Sequence, residues 1–407
     1  MNAEDFRRIA LSLPDAEEKS HFGKADFRVC NRIFATLPAP GRGVLKLTPD
    51  EQSMLAAAEP AIFAPVKGGW GRQGWTEIAL DAADEALAGI RSAVEATYTP
   101  HVLRGLGAFG GLFALPDGLR EPVLVASTDG VGTKTRLGLA LGRPRGLGRD
   151  LVNHCANDIL VQGARPLFFL DYVASARLEP GLIAEIVGGV ADACREGGFA
   201  LLGGETAEMP GVYADGELDL VGTIVGVVER SEIVDGARVR PGDALLALGS
   251  GGLQTNGFSL ARAIVAGREH EPLRAQEPSG PTLGEALLAP HRSFEAAVRP
   301  LIDARVALAL AHVTGGGIPG NLPRALPRGL GAVVREGSWP RPAVFDRLQA
   351  LGGVADEEMR RAFNLGVGMI VVVRHEDVAR ARALSPEPLH EIGRVVEGDG
   401  VRFDAVG

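Results

Sequence analysis

From Leu119 onward the chain repeats one order of segments: an apolar run of strand length, a glycine-containing turn and a longer helical pattern. Strands that alternate with helices pack in layers around a shared core, so this order favours a mixed α/β fold. The predicted strands are residues 123–126, 166–172, 200–202 and 218–228, and the predicted helices are residues 149–162 and 182–197. A further section starts near Val239, where Pro241-Gly242-Asp243 introduces another apolar strand.

The first 80 or so residues carry a different pattern. An amphipathic helix ends at Pro14, short strands follow, and Thr48 with Pro49 predicts the N-cap and first position of a second helix. We therefore expect two α/β domains preceded by a small α+β domain. The predicted domains are residues 1–85, 86–235 and 236–407.

Composition narrows the class of protein. The 407 residues include 46% hydrophobic and 23% charged residues, values that are ordinary for a soluble globular chain. The net charge of −9 provides no overall positive field for nucleic acid or anionic membrane. Three widely spaced cysteines fit neither a disulfide framework nor a zinc motif, which favours reduced thiols in the cytoplasm. The first 13 residues mix polar and apolar types and are unlike a signal peptide, and no apolar run reaches the roughly 18 residues that a membrane span needs, so we expect a soluble, cytoplasmic protein.

Residues 127–134 read Ser-Thr-Asp-Gly-Val-Gly-Thr-Lys and follow a predicted strand. Two glycines allow a tight turn close to a ligand, Asp129 is a hard oxygen ligand for Mg²⁺, and Lys134 is a point charge for phosphate. The spacing is not that of a Walker A loop, and an ordinary glycine turn with a surface lysine is an equal alternative for this motif alone. The motifs that follow it along the chain favour the interpretation as a site for a metal-bound nucleotide.

Two further motifs suggest the same chemistry. Asn157-Asp158 lies on a predicted helix among apolar residues, where a buried carboxylate needs a partner; the alternative is a solvated helix residue. Residues 203–211 read Gly-Gly-Glu-Thr-Ala-Glu-Met-Pro-Gly after an apolar strand and predict a pocket lined by backbone, with an acid and a hydroxyl. Asp171 ends another buried strand, either as a ligand contact or as a structural cap.

Glycine-rich loops continue in the last third of the chain. Residues 250–257 precede a helix and predict an anion site at its N-terminus. His312 and Thr314 belong to a loop with three consecutive glycines, although a lone histidine is more often structural. Residues 364–368 form another turn that allows close approach. Together the loops predict a nucleotide-dependent enzyme with a divalent cation, whereas the reaction itself does not follow from them.

At these motifs the chain, from about residue 86 to 407, resembles the phosphoribosylformylglycinamidine cyclo-ligases, also called aminoimidazole ribonucleotide synthetases. The segments that carry the resemblance, in family order, are residues 127–134, 153–163, 166–172, 203–211, 255–260, 312–317 and 363–369. The resemblance implies that ATP drives ring closure of formylglycinamidine ribonucleotide to aminoimidazole ribonucleotide in purine biosynthesis, with release of ADP and phosphate. It also implies a homodimer in which strands of the first α/β domain pair across subunits.

The same resemblance implies roles for individual residues. Asp129 and Asp158 hold Mg²⁺ on the nucleotide and, with Lys134, form the catalytic set. The implied ATP-binding residues are Gly130, Thr133, Asn157, Gly203, Gly204, Glu205 and Thr206, and the implied substrate-binding residues are Thr255, Asn256, Gly257, His312 and Thr314. The chain departs from the family in two places. The usual Tyr-x-x-Ala-Gly-Val-Asp segment is replaced by residues 75–81, and Gln254 stands where many relatives carry histidine.

The first 80 residues resemble the small YjbR/MmcQ-like domains, through features that include His21-Phe22-Gly23 and the stretch from Trp70 to Trp75. Such domains are sometimes considered DNA-binding. Residues 1–98 contain 11 basic and 14 acidic side chains, a net charge of −3 that makes nucleic-acid binding an unfavoured alternative. The helix expected over residues 83–98 would be shared by this domain and the next.

Two alternatives to an active cyclo-ligase remain at this point. The chain would be a catalytically weakened nucleotide-binding protein, regulated through its first domain, if the replaced segment removes ATP binding. It would be a superfamily member with another substrate, like the related kinases and the selenophosphate or thiamine-phosphate enzymes, if the substrate loops differed. The intact Asp129 and Asp158 favour the active enzyme, and residues 203–211 and 255–260 match the cyclo-ligases in particular.

Overall fold

The computed structural model describes residues 3–21, 23–39, 41–60, 62–80 and 90–404. The chain forms two compact units, Met1–Ser92 and Ala93–Gly407, and each is described by itself. Part of the helix expected over residues 83–98, and part of the replaced segment 75–81, lie outside the described residues.

The first unit is an antiparallel six-stranded sheet with strand order β1-β2-β3-β4-β6-β5. Its elements are α1 (Ala3–Leu11), β1 (Ala16–His21), β2 (Lys24–Val29), β3 (Arg32–Ala39), β4 (Arg42–Lys46), α2 (Pro49–Ala58), β5 (Phe63–Pro65) and β6 (Trp75–Ala79). The predicted N-cap is confirmed, because Thr48 and Glu51 form a capping box at the start of α2. Phe6 of α1 packs against Phe27 in a small core, which makes this unit an α+β domain.

The first half of the second unit is a four-stranded sheet with strand order β11-β10-β12-β9. Its elements are β7 (Val102–Arg104), β8 (Leu112–Phe113), β9 (Pro122–Gly130), α3 (Lys134–Ala140), α4 (Pro144–Leu160), β10 (Arg165–Ser175), α5 (Pro180–Gly197), β11 (Ala200–Glu208) and β12 (Leu218–Glu229). The helices α4 and α5 pack closely, because Gly148 and Gly189 present no side chain at their crossing. A Cβ on Gly189 would lie 2.0 Å from the backbone oxygen of Arg145.

Two strands of this sheet are longer than the sequence pattern predicted. Residues 127–130 were expected in a turn, but β9 continues to Gly130 and pairs with β12. Residues 203–208 were likewise expected in a loop, but they belong to β11 and pair in parallel with β10. Glycine and polar residues are poor strand formers in isolation, and the neighbouring strands provide the hydrogen bonds that keep them extended.

The second half of this unit is a six-stranded sheet with strand order β14-β16-β13-β17-β15-β18. Its strands are β13 (Ala244–Gly249), β14 (Ala309–His312), β15 (Leu330–Arg335), β16 (Val367–Val373), β17 (His390–Glu397) and β18 (Val401–Asp404), and its helices are α6 (Phe258–Val265), α7 (Leu283–Leu287), α8 (Glu295–Asp303), α9 (Gly317–Asn321), α10 (Ala343–Gly352), α11 (Asp356–Ala362) and α12 (Val378–Leu384). Every residue of β16 is buried, because apolar clusters cover both faces of the sheet. The predicted mixed α/β class is confirmed. None of the helices in the described part of the chain combines the length and apolar character that a membrane span requires.

Candidate active site

Polar side chains from both halves of the second unit meet beside α4. The helix contributes His154 and Asp158, one turn apart on the same face. Strand β9 brings Asp129 to the same place, because its last residues run beside α4, and β14 ends on His312. Three histidines, His154, His291 and His312, form the centre of this group, which we call the histidine cluster. Their ring centroids lie 5.0–5.4 Å from one another.

Asp158 accepts hydrogen bonds with both carboxylate oxygens. Nδ1 of His312 lies 2.8 Å from Oδ1, and the hydroxyl of Ser127 donates to Oδ2 at 3.1 Å. Burial raises the pKa of Asp158, but the hydrogen bond and charge of His312 outweigh it and bring the pKa below its ordinary value. The carboxylate is therefore ionised at neutral pH.

Asp129 is connected to the cluster through His154. Oδ2 of Asp129 lies 3.1 Å from Nε2 of His154, and its Oδ1 accepts the backbone N–H of Gly130 at 2.7 Å. Burial raises the pKa of Asp129, but the hydrogen bond and charge of His154 outweigh this effect, so the net pKa lies below the ordinary value. On its far side, Nδ1 of His154 lies 2.8 Å from the hydroxyl oxygen of Thr255.

His291 fills the space between the other two imidazoles. Its Nδ1 lies 3.2 Å from the Thr255 hydroxyl, and its Nε2 lies 3.1 Å from Nε2 of His312. The amide of Asn157 is 3.2 Å from the same Nε2 and also donates to the backbone oxygen of Arg292. Complete burial lowers the pKa of His291 well below its ordinary value, and burial also lowers the pKa of His312 against the opposing effect of Asp158.

Lys134 lies in the interior, with none of its side chain exposed. Its ammonium group is 2.7 Å from Oδ2 of Asp150 and donates to the backbone oxygens of Gln254 and Ala289 at 2.8 and 3.0 Å. These three partners use its three N–H groups. The alternative of an ordinary glycine turn with a surface lysine is therefore wrong, and a phosphate would reach this lysine only if the buried ion pair opened.

The predicted ATP-binding residues of β11 lie on the opposite edge of the sheet from β9. Gly204, Asp171, Gly222 and Asp129 occupy one row of paired positions across β11, β10, β12 and β9. Three strand spacings of about 4.8 Å separate the ends of this row, which therefore spans roughly 14 Å. Gly204 is required there, because a Cβ would lie 2.3 Å from the Asp171 carboxylate. Burial raises the pKa of Asp171 to about 7.

The remaining predicted residues lie on β11, at the start of α3, in the loop before α6 and beside Asn321. Gly203 is partly buried, whereas Glu205 and Thr206 are exposed on β11. The hydroxyl oxygen of Thr133, at the start of α3, is 3.3 Å from that of Ser259.

Asn256 and Gly257 follow Thr255 in the loop before α6. The amide of Asn256 donates to the Thr255 hydroxyl at 3.3 Å, and Gly257, with φ of +81°, is the N-cap. Thr314 donates to Asn321 at 3.2 Å.

A cleft of about 440 Å³ opens beside the histidine cluster. Asp158 and His312 form part of its wall, and Ser127 of β9 adjoins them. Arg324 lies on the same cleft and donates to Asn321 at 3.2 Å. The cleft thus combines carboxylate, imidazole and guanidinium groups, which suits a ligand that carries phosphate and nitrogen functions.

Two residues of the site, His154 and His291, were not predicted from the sequence. His154 and Asp158 are spaced i and i+4, a pattern that places both on one helix face and could have identified the histidine. His291 lies in a loop and carries no local signal. Its backbone N–H donates to Asp150 at 2.6 Å, and its backbone oxygen accepts from Asn153 at 2.7 Å, so tertiary contacts alone place it.

Comparison with known protein families gives three matches. Residues 117–228 match the family described as AIR synthase related protein, N-terminal domain, and residues 240–406 match the corresponding C-terminal domain. Residues 11–98 match the YjbR family, in agreement with the resemblance stated for the first domain.

Solved structures with the same fold are distant in sequence. Thiamine-monophosphate kinase from Stenotrophomonas maltophilia aligns with a TM-score of 0.59 at 20% identity, over 78% of this chain and 96% of that protein. The hydrogenase maturation protein HypE, in complex with ATP, aligns with a TM-score of 0.54 at 19% identity, over 77% of this chain and 88% of that protein. These likenesses support the two-domain α/β fold.

Curated relatives are much closer. Phosphoribosylformylglycinamidine cyclo-ligase from Gloeobacter violaceus is 51% identical over 332 residues, which cover 80% of this chain and 97% of the relative. The enzyme of the same name from Myxococcus xanthus is 51% identical over 327 residues, covering 79% of this chain and 94% of the relative. The chain therefore belongs to the phosphoribosylformylglycinamidine cyclo-ligase family.

Proposed function

We propose that this chain catalyses the ATP-dependent closure of formylglycinamidine ribonucleotide to aminoimidazole ribonucleotide, with release of ADP and phosphate, in the purine pathway of the cytoplasm. The observation that carries the proposal is 51% identity across 97% of a relative with this name. The cleft beside Asp158 and His312 supports it, because it places ionised and neutral polar groups next to an open space of ligand size.

Bound ATP supplies a phosphoryl group that converts the formyl oxygen into a good leaving group, so that the amidine-side nitrogen can close the ring. The contribution of the protein is then mostly positioning and neutralisation of charge. Asp129 and Asp158 carry the negative charge for a divalent cation, since the pKa of each lies below its ordinary value. Their oxygen donors fit Mg²⁺, which prefers carboxylates and water.

We assign the nucleotide to the row from Asp129 to Gly204. The glycines of this row leave the backbone open to close approach, and its length of roughly 14 Å suits an extended nucleotide. The predicted contacts on the nucleotide are Gly130, Thr133, Asn157, Gly203, Gly204, Glu205 and Thr206. Asn157 is the least accessible of these, because its amide is already bonded to Arg292 and His291.

The substrate ribonucleotide is assigned to the cleft between the two halves of the second unit. Thr314 and His312 line this cleft. Thr255, Asn256 and Gly257 adjoin it through the contact of Thr255 with the histidine cluster. Arg324 is an additional candidate for the ribose phosphate, because guanidinium groups bind phosphate in a bidentate manner.

The functional test is an assay of ADP release that depends on formylglycinamidine ribonucleotide. Asp129→Asn and Asp158→Asn are each expected to lower kcat by about 10²-fold or more, the order seen when a charge-stabilising group is removed. Asp215→Asn is the matched control, since Asp215 is an exposed loop residue. The assignment fails if ADP release is unchanged in both variants. Absence of substrate-dependent ADP release by the full chain would instead favour a catalytically weakened nucleotide-binding protein.

We further propose that the second unit pairs with another copy of this chain. Strand β9 is an edge strand of its sheet, and its outward side chains include Leu124, which is 59% exposed. Leu170 of β10 is 36% exposed. An open strand edge beside exposed apolar side chains is a surface that proteins normally cover. Leu124→Lys is expected to convert the dimer to a monomer in light-scattering measurements, whereas a wild-type chain that is monomeric would contradict the assignment.

A further inference from the structure

A separate cavity of the second unit lies at the other end of the four-stranded sheet from Asp129. Its volume is about 840 Å³, and its walls include Arg165 at the start of β10 and Glu229 at the end of β12. Arg165 and Asp171 are six positions apart on β10, so at about 3.3 Å per residue the cavity begins roughly 20 Å from the row that holds Asp129. We call it the hairpin cavity, because the segment with β7 and β8 forms one wall. None of the residues assigned to ATP or to the substrate lines it.

One wall of the hairpin cavity is aromatic. The ring centroids of His101 and Phe113 lie 5.8 Å apart, and Phe113 packs against Phe168 of β10 at 5.3 Å. His101 and Phe113 both line the cavity and are half-buried, so part of each ring remains accessible. A flat heterocycle such as a nucleobase stacks on rings in this arrangement.

The lining also contains buried donor groups that are not fully used. The hydroxyl of Thr99 is buried and has no hydrogen-bond partner among the described residues. The guanidinium of Arg299, a residue only 9% exposed, makes four hydrogen bonds, two to Glu295 and one each to the backbone oxygens of Gly163 and Ala164. A guanidinium carries five N–H groups, so one is left for a ligand. Unpaired buried polar groups are costly, which favours a bound molecule with oxygen or ring-nitrogen acceptors at this place.

Two exposed arginines line the same cavity. The guanidinium of Arg238 has no ion-pair partner in the part of the chain that the structure describes. Arg305 is 3.8 Å from Glu232, a long exposed pair that contributes little and can be exchanged for another anion. Guanidinium groups bind phosphate through paired hydrogen bonds, so these two side chains can hold a phosphate group.

The acidic residues of the lining mostly have partners of their own. Asp303 accepts two hydrogen bonds from Arg165, at 2.8 and 2.9 Å. Glu229 accepts the backbone N–H groups of Arg120 and Glu121, each at 2.9 Å. These carboxylates therefore do not neutralise Arg238.

We propose that the hairpin cavity binds a nucleoside monophosphate, with its base on the aromatic wall and its phosphate at Arg238 and Arg305. The volume of about 840 Å³ falls within the range of roughly 300–1,000 Å³ that is usual for small-molecule sites. The inference goes beyond the proposed function, since the ligand takes no part in the cyclisation. Val234 lines both this cavity and the cleft beside Asp158, so a ligand bound here would adjoin the wall of the substrate cleft.

The experiment measures binding of AMP to the full chain by calorimetry, with a non-hydrolysable ATP analogue present at saturation to occupy the proposed ATP site. We expect one equivalent of AMP to bind. Adenosine and inorganic phosphate should each bind at least about 10-fold more weakly, because each makes only part of the contacts. Arg238→Gln should weaken AMP binding by about 10-fold, and Arg328→Gln, at an exposed arginine outside the cavity, is the matched control with no change.

Thr99→Val distinguishes a binding role from a structural one. Valine keeps the shape of the side chain and removes a hydroxyl that has no partner in the free chain, so thermal stability without ligand should not fall. Binding of AMP should weaken by about 5-fold or more. Cyclisation without AMP should be unchanged in Arg238→Gln, because this residue is remote from Asp129 and Asp158.

Absence of AMP binding by the wild-type chain would overturn the inference, as would equal AMP affinity in the wild type, Arg238→Gln and Thr99→Val. Circular dichroism shows whether each variant is folded. Binding of AMP that is lost in Asp129→Asn but kept in Arg238→Gln would place the ligand in the catalytic site and also contradict the inference. The result is independent of the proposed function, since a chain without cyclisation activity would still bind AMP at the hairpin cavity.

Discussion

The two units of the chain use buried polar groups in different ways. In the first unit, Gln52 donates to the backbone oxygen of Trp75 and to Thr76. The buried Asp26 pairs with Arg28, two positions along β2. In the second unit, residues from distant parts of the sequence form the pair Lys134–Asp150 and a larger network, the histidine cluster. Taking such groups out of water is costly, and networks of this kind concentrate at functional sites. The contrast favours the second unit as the place of the proposed chemistry.

Among the substitutions that test this contrast, replacement of Lys134 should change the free energy of unfolding most. Lys134→Met removes the cation and leaves Asp150 as an unpaired buried carboxylate, which should lower the free energy of unfolding by about 3–5 kcal/mol. Urea denaturation measures this loss. Lys46→Met in the first unit is the control, because Lys46 is exposed, and we expect a change of no more than about 0.5 kcal/mol. Similar losses in the two variants would remove the distinction between the units.

Asp171 provides a pH-dependent test of the second unit. Its folded pKa of about 7 lies above the unfolded value, so the folded chain holds the proton more tightly. Its contribution to stability is complete below about pH 4 and is lost as the pH rises through about 7. Between pH 5 and pH 8 the wild-type chain should lose about 2–3 kcal/mol more stability than Asp171→Asn. Parallel urea midpoints for the two proteins would show that Asp171 is not protonated in the folded chain.

Replacement of one buried glutamine in each unit, Gln254 and Gln52, tests the same comparison. Neither amide atom of the buried Gln254 has a hydrogen-bond partner among the described residues, whereas the amide of Gln52 has two. Gln254→Leu should therefore raise the free energy of unfolding by about 1 kcal/mol, and Gln52→Leu should lower it by about 1–2 kcal/mol. Thermal unfolding at one pH measures both. A loss of stability in Gln254→Leu would indicate that this amide binds a solvent or ligand molecule.

The smallest effect is expected when binding of nucleic acid by the first unit is tested. The net charge of −3 over residues 1–98 opposes attraction to phosphate, so duplex DNA should give no mobility shift even at low salt. A salt-sensitive complex with the full chain would overturn this expectation.

The sequence predicted the α/β class, because alternating apolar runs determine it. Asp129 contacts His154 and Asp158 contacts His312, and a metal site shared by the two carboxylates stays a prediction. The sequence did not predict the surroundings of Lys134, since its partner Asp150 is sixteen positions away and is brought close by the turn between α3 and α4. The strand positions of residues 203–208 also depended on pairing with β10, which no local pattern shows. Local signals thus located the site, and tertiary contacts determined its protonation and accessibility.

The burial of Lys134 also has a consequence for motion. Its ammonium group joins Asp150 of the first half of the second unit to the carbonyl groups of Gln254 and Ala289 in the second half. A hinge movement that parted the two halves would break both hydrogen bonds from Lys134 to these carbonyl groups and expose the buried ion pair to water, so the contact opposes such a movement. Ligand exchange would then depend on loop fluctuations, and amide hydrogens next to these contacts should exchange only through global unfolding.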